Sequence, residues 1–343
     1  MLLETNRRSG LRELLAVPPE DHGPTQGGFP SMSIQTNIIR STGREHYIDV
    51  KGQKLFLWEK PRTTEPALGT ILFVHGSSMA STPGFDLQAP DVDYISAMDW
   101  FTGQGFDTWT VDHRGYGRSY KGPDFLATIA DGADDLEAAS EYIMKERNSG
   151  PLYIYGISSG ALRAALFAER HPERVKRLAL DAYVWTGQGS PTLEERRKKL
   201  AQWKNSTRRP ISREFINSIH TRDKVYTVNP ALVEPYVKAV LELDDSVPNG
   251  TYIDMCENLP VNDPAKITMP TIIMRGEYDG IAGIDDLLEF FKRLPNADKE
   301  FAIMPDIAHG SFNQMNHMRA YHVLYCFLTR PEPVYREKRP PHH

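Results

Sequence analysis

Short apolar runs that alternate with stretches of helical periodicity constrain this chain more than any other feature. Ile71-Leu72-Phe73-Val74 is followed by a helical stretch near 93–103, then by Thr108-Trp109-Thr110-Val111. In the next stretch Ile129, Ala133, Leu136, Ala139 and Ile143 recur at intervals of three and four, which predicts a helix, before the run Leu152-Tyr153-Ile154-Tyr155. Strands without polar alternation are covered on both faces, and strand-helix alternation is the pattern of a parallel sheet flanked by helices. The expected class is therefore α/β with a mostly parallel sheet. The alternation continues through 175–180, stops over 186–266, and resumes at Thr271-Ile272-Ile273-Met274, 284–294, Phe301-Ala302-Ile303-Met304 and a helix expected over about 312–328. Ahead of it, apolar or alternating segments at 44–50 and 53–59 around Lys51-Gly52 predict an antiparallel hairpin.

These breaks divide the chain into an N-terminal arm (1–40), a core (41–185 and 267–330), an inserted helical lid (186–266) and a C-terminal tail (331–343) ending in His342-His343. The arm carries Arg7-Arg8 but no continuous apolar segment of the kind a secretory signal needs. The loop 79–92, with Pro83-Gly84 and Pro90, is expected to be long and to shape a pocket mouth. The insertion opens with Arg196-Arg197-Lys198-Lys199, but its basic and acidic residues nearly balance, so the run reads as a solvated helix face. A net charge of -5 over 343 residues offers no basic field for nucleic acid. Cys256 and Cys326 are the two cysteines, which build neither a disulfide framework nor a four-ligand zinc site. No apolar run approaches the length of a membrane span. A cytoplasmic location is expected, and a homodimer is open.

The chemistry concentrates at Gly156-Ile157-Ser158-Ser159-Gly160, between a predicted strand and a predicted helix. Glycines on both sides permit a tight, strained turn that lifts one hydroxyl clear of the backbone. A serine hydroxyl needs a base, usually a histidine oriented by a carboxylate. Downstream, Arg275-Gly276-Glu277-Tyr278-Asp279-Gly280 and Pro305-Asp306-Ile307-Ala308-His309-Gly310 each follow a buried strand. Open α/β sheets build their sites at such carboxyl ends. Asp279 is preferred as the acid, with Asp181 as its rival at the end of the preceding strand; Glu277 and Asp306 fit less well. His309 is preferred over His171, His317 and His322, which fall in or at the ends of helices, and His75 and Asp112-His113-Arg114 read as loop organisers.

With His75-Gly76-Ser77-Ser78 after the third strand, the Asp112 to Ser119 turn after the fourth, and the ordered Ser158, Asp279 and His309, the chain resembles α/β-hydrolase-fold enzymes, specifically lid-bearing serine hydrolases, over roughly 47–328. The resemblance implies that Ser158 attacks a carbonyl, that His309 relays the proton and that Asp279 holds the imidazole. It implies an oxyanion hole from the backbone N–H groups of Ser77 and Ser159, with Ser78 orienting that loop. It implies no cofactor and no metal. A serine at the elbow argues against the dehalogenases and epoxide hydrolases of the fold, which use aspartate. The expected activity is hydrolysis of a small or medium carboxylic ester or lactone, through an acyl-enzyme. A C–C bond hydrolase or acyltransferase with the same triad is the alternative, and a non-catalytic ligand-binding protein comes after it. Aromatic residues of the insertion, Trp185, Trp203, Phe215, Tyr226, Tyr236 and Tyr252, would suit a largely apolar substrate.

Overall fold

The computed structural model describes residues 41–89 and 91–334; the expected arm, Pro90 and the tail from 335 lie outside the described residues. The predicted hairpin forms from β1 (Arg44–Val50) and β2 (Gln53–Lys60). Lys51 and Gly52 both take positive φ at its turn, the backbone that matches the twist of two antiparallel strands. β3 (Gly69–Val74), β4 (Phe106–Asp112), β5 (Leu152–Ile157) and β6 (Val175–Asp181) follow. Within 186–266 a small antiparallel pair, β7 (Arg208–Pro210) and β8 (Ser246–Pro248), stands apart, and β9 (Thr271–Gly276) and β10 (Lys299–Met304) complete the main sheet. The main order is β1-β2-β4-β3-β5-β6-β9-β10, parallel from β4 to β10, with β2 antiparallel to both its neighbours.

The helices are α1 (Ser81–Phe85), α2 (Ala97–Gly103), α3 (Ile129–Arg147), α4 (Ser159–Arg170), α5 (Pro191–Arg197), α6 (Leu200–Lys204), α7 (Arg213–Thr221), α8 (Pro230–Leu241), α9 (Gly250–Glu257), α10 (Ile284–Arg293) and α11 (His317–Thr329). Strand residues alternate between two cores. Leu72, Val74, Ile154 and Leu180 pack with Ile129, Leu136 and Ile143 of α3, Leu162 of α4 and Phe290 of α10. Ile71, Phe73, Tyr155 and Met274 pack with Phe101 of α2 and with Tyr321 and Leu324 of α11. This is why the runs lack polar alternation: both faces are inside.

Three expectations need correction. The last helix begins at His317 instead of 312, because Gln314 is extended and uses its side-chain amide on the neighbouring loop, accepting from Ala308 N–H and donating to the His309 carbonyl. The loop 79–92 contains α1. The insertion is not wholly helical, since β7 and β8 pair within it. It also packs as a third core: Ile211, Ile216, Tyr236 and Val240 meet Ala80 and Leu87 after β3 and Tyr116 after β4. The insertion therefore rests on loops at the carboxyl edge of the sheet.

Candidate active site

β3 and β5 are neighbours, while β4, which lies between them in sequence, sits on the far side of β3. Chain connections diverge at such a point and leave a crevice beyond the strand ends. Ser158 stands there, between the last residue of β5 and the first of α4, with φ 58° and ψ -126°. That conformation is costly for any residue with a Cβ. It is held by surrounding backbone: the Ser158 N–H donates to the Asp181 carbonyl at 2.9 Å, and the Ser158 carbonyl accepts from Ala161 at 3.0 Å.

The flanking glycines are required by space. A Cβ at Gly156 would lie 2.5 Å from the Gly160 carbonyl oxygen and 2.8 Å from Ala161 Cα. One at Gly160 would run into the carbonyl oxygens of Val74 and His75. Neither obstacle is a side chain that can swing away. Gly160→Ala is expected to cost about 3 kcal/mol or more, read as a lowered urea midpoint; a change under 1 kcal/mol would contradict this packing.

The loop after β3 lies beside the serine, and a Cβ at Gly76 would sit 3.3 Å from Ser158 Cβ. His75 fixes the loop. Its Nε2 accepts the His113 N–H at 3.0 Å, so Nδ1 carries the proton and donates to the Gly76 carbonyl at 2.7 Å. Burial pushes both imidazoles well below their ordinary pKa, consistent with this neutral tautomer. In a trans peptide the N–H points opposite the carbonyl, so the Ser77 N–H is directed away from His75. Ser77 Oγ donates to Ser159 Oγ at 2.7 Å, tying together the two predicted oxyanion residues. Ser159 opens α4, where N–H groups have no helical acceptor.

His309 and Asp279 meet. Nδ1 of the imidazole lies 3.1 Å from Asp279 Oδ1, which also accepts the Ile281 N–H at 2.9 Å. Burial alone would raise the Asp279 carboxyl; the charge and hydrogen bond of His309, with help from Ile281 N–H and Arg275, outweigh it and hold the group below its ordinary value. The rival carboxylate is otherwise engaged. Asp181 accepts from Tyr155 Oη at 2.6 Å and Ser311 Oγ at 3.0 Å, and burial lifts it to about 6. Glu277 takes the Asp306 N–H at 3.0 Å, and neither is placed against His309.

Ser158, His309, Ser77 and Ser78 line one cavity of about 650 Å³. Of the aromatics singled out, Trp203, Phe215, Tyr236 and Tyr252 line it, whereas Trp185 is packed in the core and Tyr226 is exposed. Arg209, from β7, is buried and reaches across to donate to the Ser77 carbonyl at 2.8 Å. Its guanidinium lies 3.6 Å from the Tyr252 ring centre. Arg196 does not behave as part of a solvated face: it is half-buried and lines the cavity. Sequence spacing gave no sign of either arginine's position, because each depends on how the insertion docks.

The sequence profile of the serine aminopeptidase S33 family matches residues 68–316. The chain belongs to this family. It is thus a hydrolase of the α/β-hydrolase fold, and its eight-stranded sheet is that fold's architecture. No curated protein matches the chain significantly. Among solved structures, a thermophilic esterase from Thermogutta terrifontis is 20% identical, with TM-score 0.60, over 83% of this chain and 98% of its own. A soluble variant of monoglyceride lipase from Saccharomyces cerevisiae is 18% identical, with TM-score 0.60, over 85% and 96%. An esterase from Exiguobacterium antarcticum is 16% identical, with TM-score 0.63, over 84% and 100%. At these identities the likeness is one of fold. Among the described residues no helix of this S33-family chain is long and apolar enough to cross a membrane.

Proposed function

We propose that this S33-family chain hydrolyses small or medium carboxylic esters or lactones through an acyl-enzyme at Ser158. The observation that carries the reading is a strained serine at the β5–α4 turn that shares a cavity with a histidine hydrogen-bonded to a buried carboxylate. Ser158 Oγ attacks the carbonyl carbon as His309 Nε2 takes its proton, and the carbonyl π pair moves onto oxygen, met by the Ser77 and Ser159 N–H groups. Collapse expels the alkoxide, which receives the proton from His309. Water then repeats the sequence on the acyl-enzyme, releasing the acid and restoring Ser158. In a lactone the freed alcohol remains part of the acyl group, so the last step releases a single hydroxy acid.

The cavity's charges favour esters over the peptides that the family's description suggests. An aminopeptidase must hold a substrate ammonium, which calls for an unpaired carboxylate. Among the described residues, the two carboxylates lining this cavity, Asp223 and Glu195, are paired with Arg222 and Lys198.

A fluorophosphonate probe tests the reading. One equivalent is expected to label Ser158, located by peptide mass, with parallel loss of hydrolysis of 4-nitrophenyl butyrate. Labelling elsewhere, or full esterase activity after Ser158 is blocked, would overturn it.

A further inference from the structure

We propose, resting on the ester or lactone reading above, that the substrate carries a carboxylate remote from the scissile bond and that Arg196 receives it. Nearly every cation at this end of the cavity is already used. Arg222 forks onto Asp223 at 2.8 and 3.0 Å. Arg209 spends its Nη atoms on the carbonyls of Pro248 and Ser77 and on Asn249. Arg197 reaches the Cys256 carbonyl and Lys198 pairs with Glu195. Arg196, on the cavity wall, has no carboxylate partner among the described residues; its Nη1 finds only the Met255 sulfur at 4.0 Å. A guanidinium has five N–H donors, and this half-buried one, held by a sulfur and an aromatic ring, has no carboxylate to take them.

The surroundings hold that charge in place. Arg196 lies 4.0 Å from the centre of the Tyr252 ring, the same ring that Arg209 packs on. Tyr252 hydrogen-bonds the Ser78 side chain, next to the predicted oxyanion residue Ser77. The guanidinium is therefore one aromatic ring removed from the loop beside the nucleophile. An acyl chain bound between them would keep its carbonyl at Ser158 and its far end at Arg196. Lys199, exposed at the wall and without a carboxylate partner among the described residues, adds positive potential at the mouth. One half-buried guanidinium with apolar and aromatic neighbours matches a monoanionic carboxylate better than a phosphate dianion, which would call for more fixed cations.

Tyr252 supplies a readout that does not depend on catalysis. Burial would raise its phenol, but Arg196 and Arg209, with the Ser78 hydrogen bond and Arg222, bring it down to about 7. An anion placed at Arg196 repels the phenolate and must raise that value.

The experiment uses 4-nitrophenyl hydrogen esters of the dicarboxylic acids from succinate to suberate, each against the neutral 4-nitrophenyl alkanoate of equal length. At least one anionic ester is expected to be preferred, with Arg196→Met lowering its kcat/KM about 10- to 100-fold and leaving the neutral series within 2-fold. Arg196→Lys should restore part of the preference, which guards against a folding defect in the Met variant. In parallel, tyrosinate absorbance is titrated with and without glutarate, adipate and suberate. The step assigned to Tyr252 by its loss in Tyr252→Phe should move to higher pH with one of them. No anionic preference and no shift would overturn the proposal. If esters of neither kind are cleaved, the reading of the activity fails, and the titration alone decides the anion site.

Discussion

Ser158→Ala should lower kcat on a 4-nitrophenyl ester by roughly 10⁶-fold, the scale on which a serine nucleophile acts with its base, while unfolding within about 0.5 kcal/mol of the parent. Separating the two effects matters, because a serine buried at a sheet edge could be structural. Its geometry says what stability should do. Ser158 sits at φ 58° and ψ -126°, where any Cβ is strained, and alanine keeps that Cβ. Glycine does not. Ser158→Gly should therefore be as inactive as the alanine variant yet more stable by about 1 kcal/mol, after the extra entropy glycine gives the unfolded chain is subtracted. Loss of function with a gain of stability marks strain held for chemistry. A glycine variant that unfolds more easily than wild type, or an alanine variant that keeps a tenth of the activity, would contradict this account of the elbow.

The elbow and the main sheet were legible because each depends on short-range pattern. Buried strands such as Leu152–Ile157 have both faces in a core, and the glycines at 156 and 160 are set by backbone contacts four or five residues away or at the end of the adjoining strand. His309 and Asp279 were legible for a related reason, since parallel strands deliver their following loops to one edge. What sequence did not disclose is what the insertion brings. Its β7–β8 pair is three residues long on each side, too short for a periodic signal. Arg209 adjoins Arg208 in sequence with nothing to distinguish them, yet one is buried against the Ser77 carbonyl while the other binds Ser246 and the Gly115 carbonyl. Arg196 reads as one of four consecutive cations, and only docking turns it inward. The start of α11 was misplaced because Gln314 is a good helix former in composition and is drawn into extended backbone by its tertiary hydrogen bonds.

The choice of acid carries the second large effect. Asp279→Ala should lower kcat by roughly 10⁴-fold, since the imidazole loses both its orienting acceptor and the charge that stabilises its protonated form. Asp279→Asn should lose less than alanine. Oδ1 of Asp279 accepts the Ile281 N–H as well as His309 Nδ1, so an asparagine must keep its oxygen at that position and still accept from the imidazole. Asp181→Asn should lose far less than either, because Asp181 faces Tyr155 and Ser311 instead of His309. The two carboxylates also pull stability in opposite directions with pH. Asp279 is held below its ordinary value, so its contribution is present above about pH 4 and disappears as pH falls through its folded pKa. Asp181 is lifted to about 6, so its stabilisation is complete below about pH 4 and is lost as pH rises to 6, on the order of 2–3 kcal/mol. Urea unfolding of wild type and Asp181→Asn between pH 4 and 7 reads this directly: wild type should lose stability relative to the variant as pH rises. If Asp181→Asn instead matched the loss of turnover of Asp279→Ala, the carboxylate at the end of β6 would be the acid that serves His309.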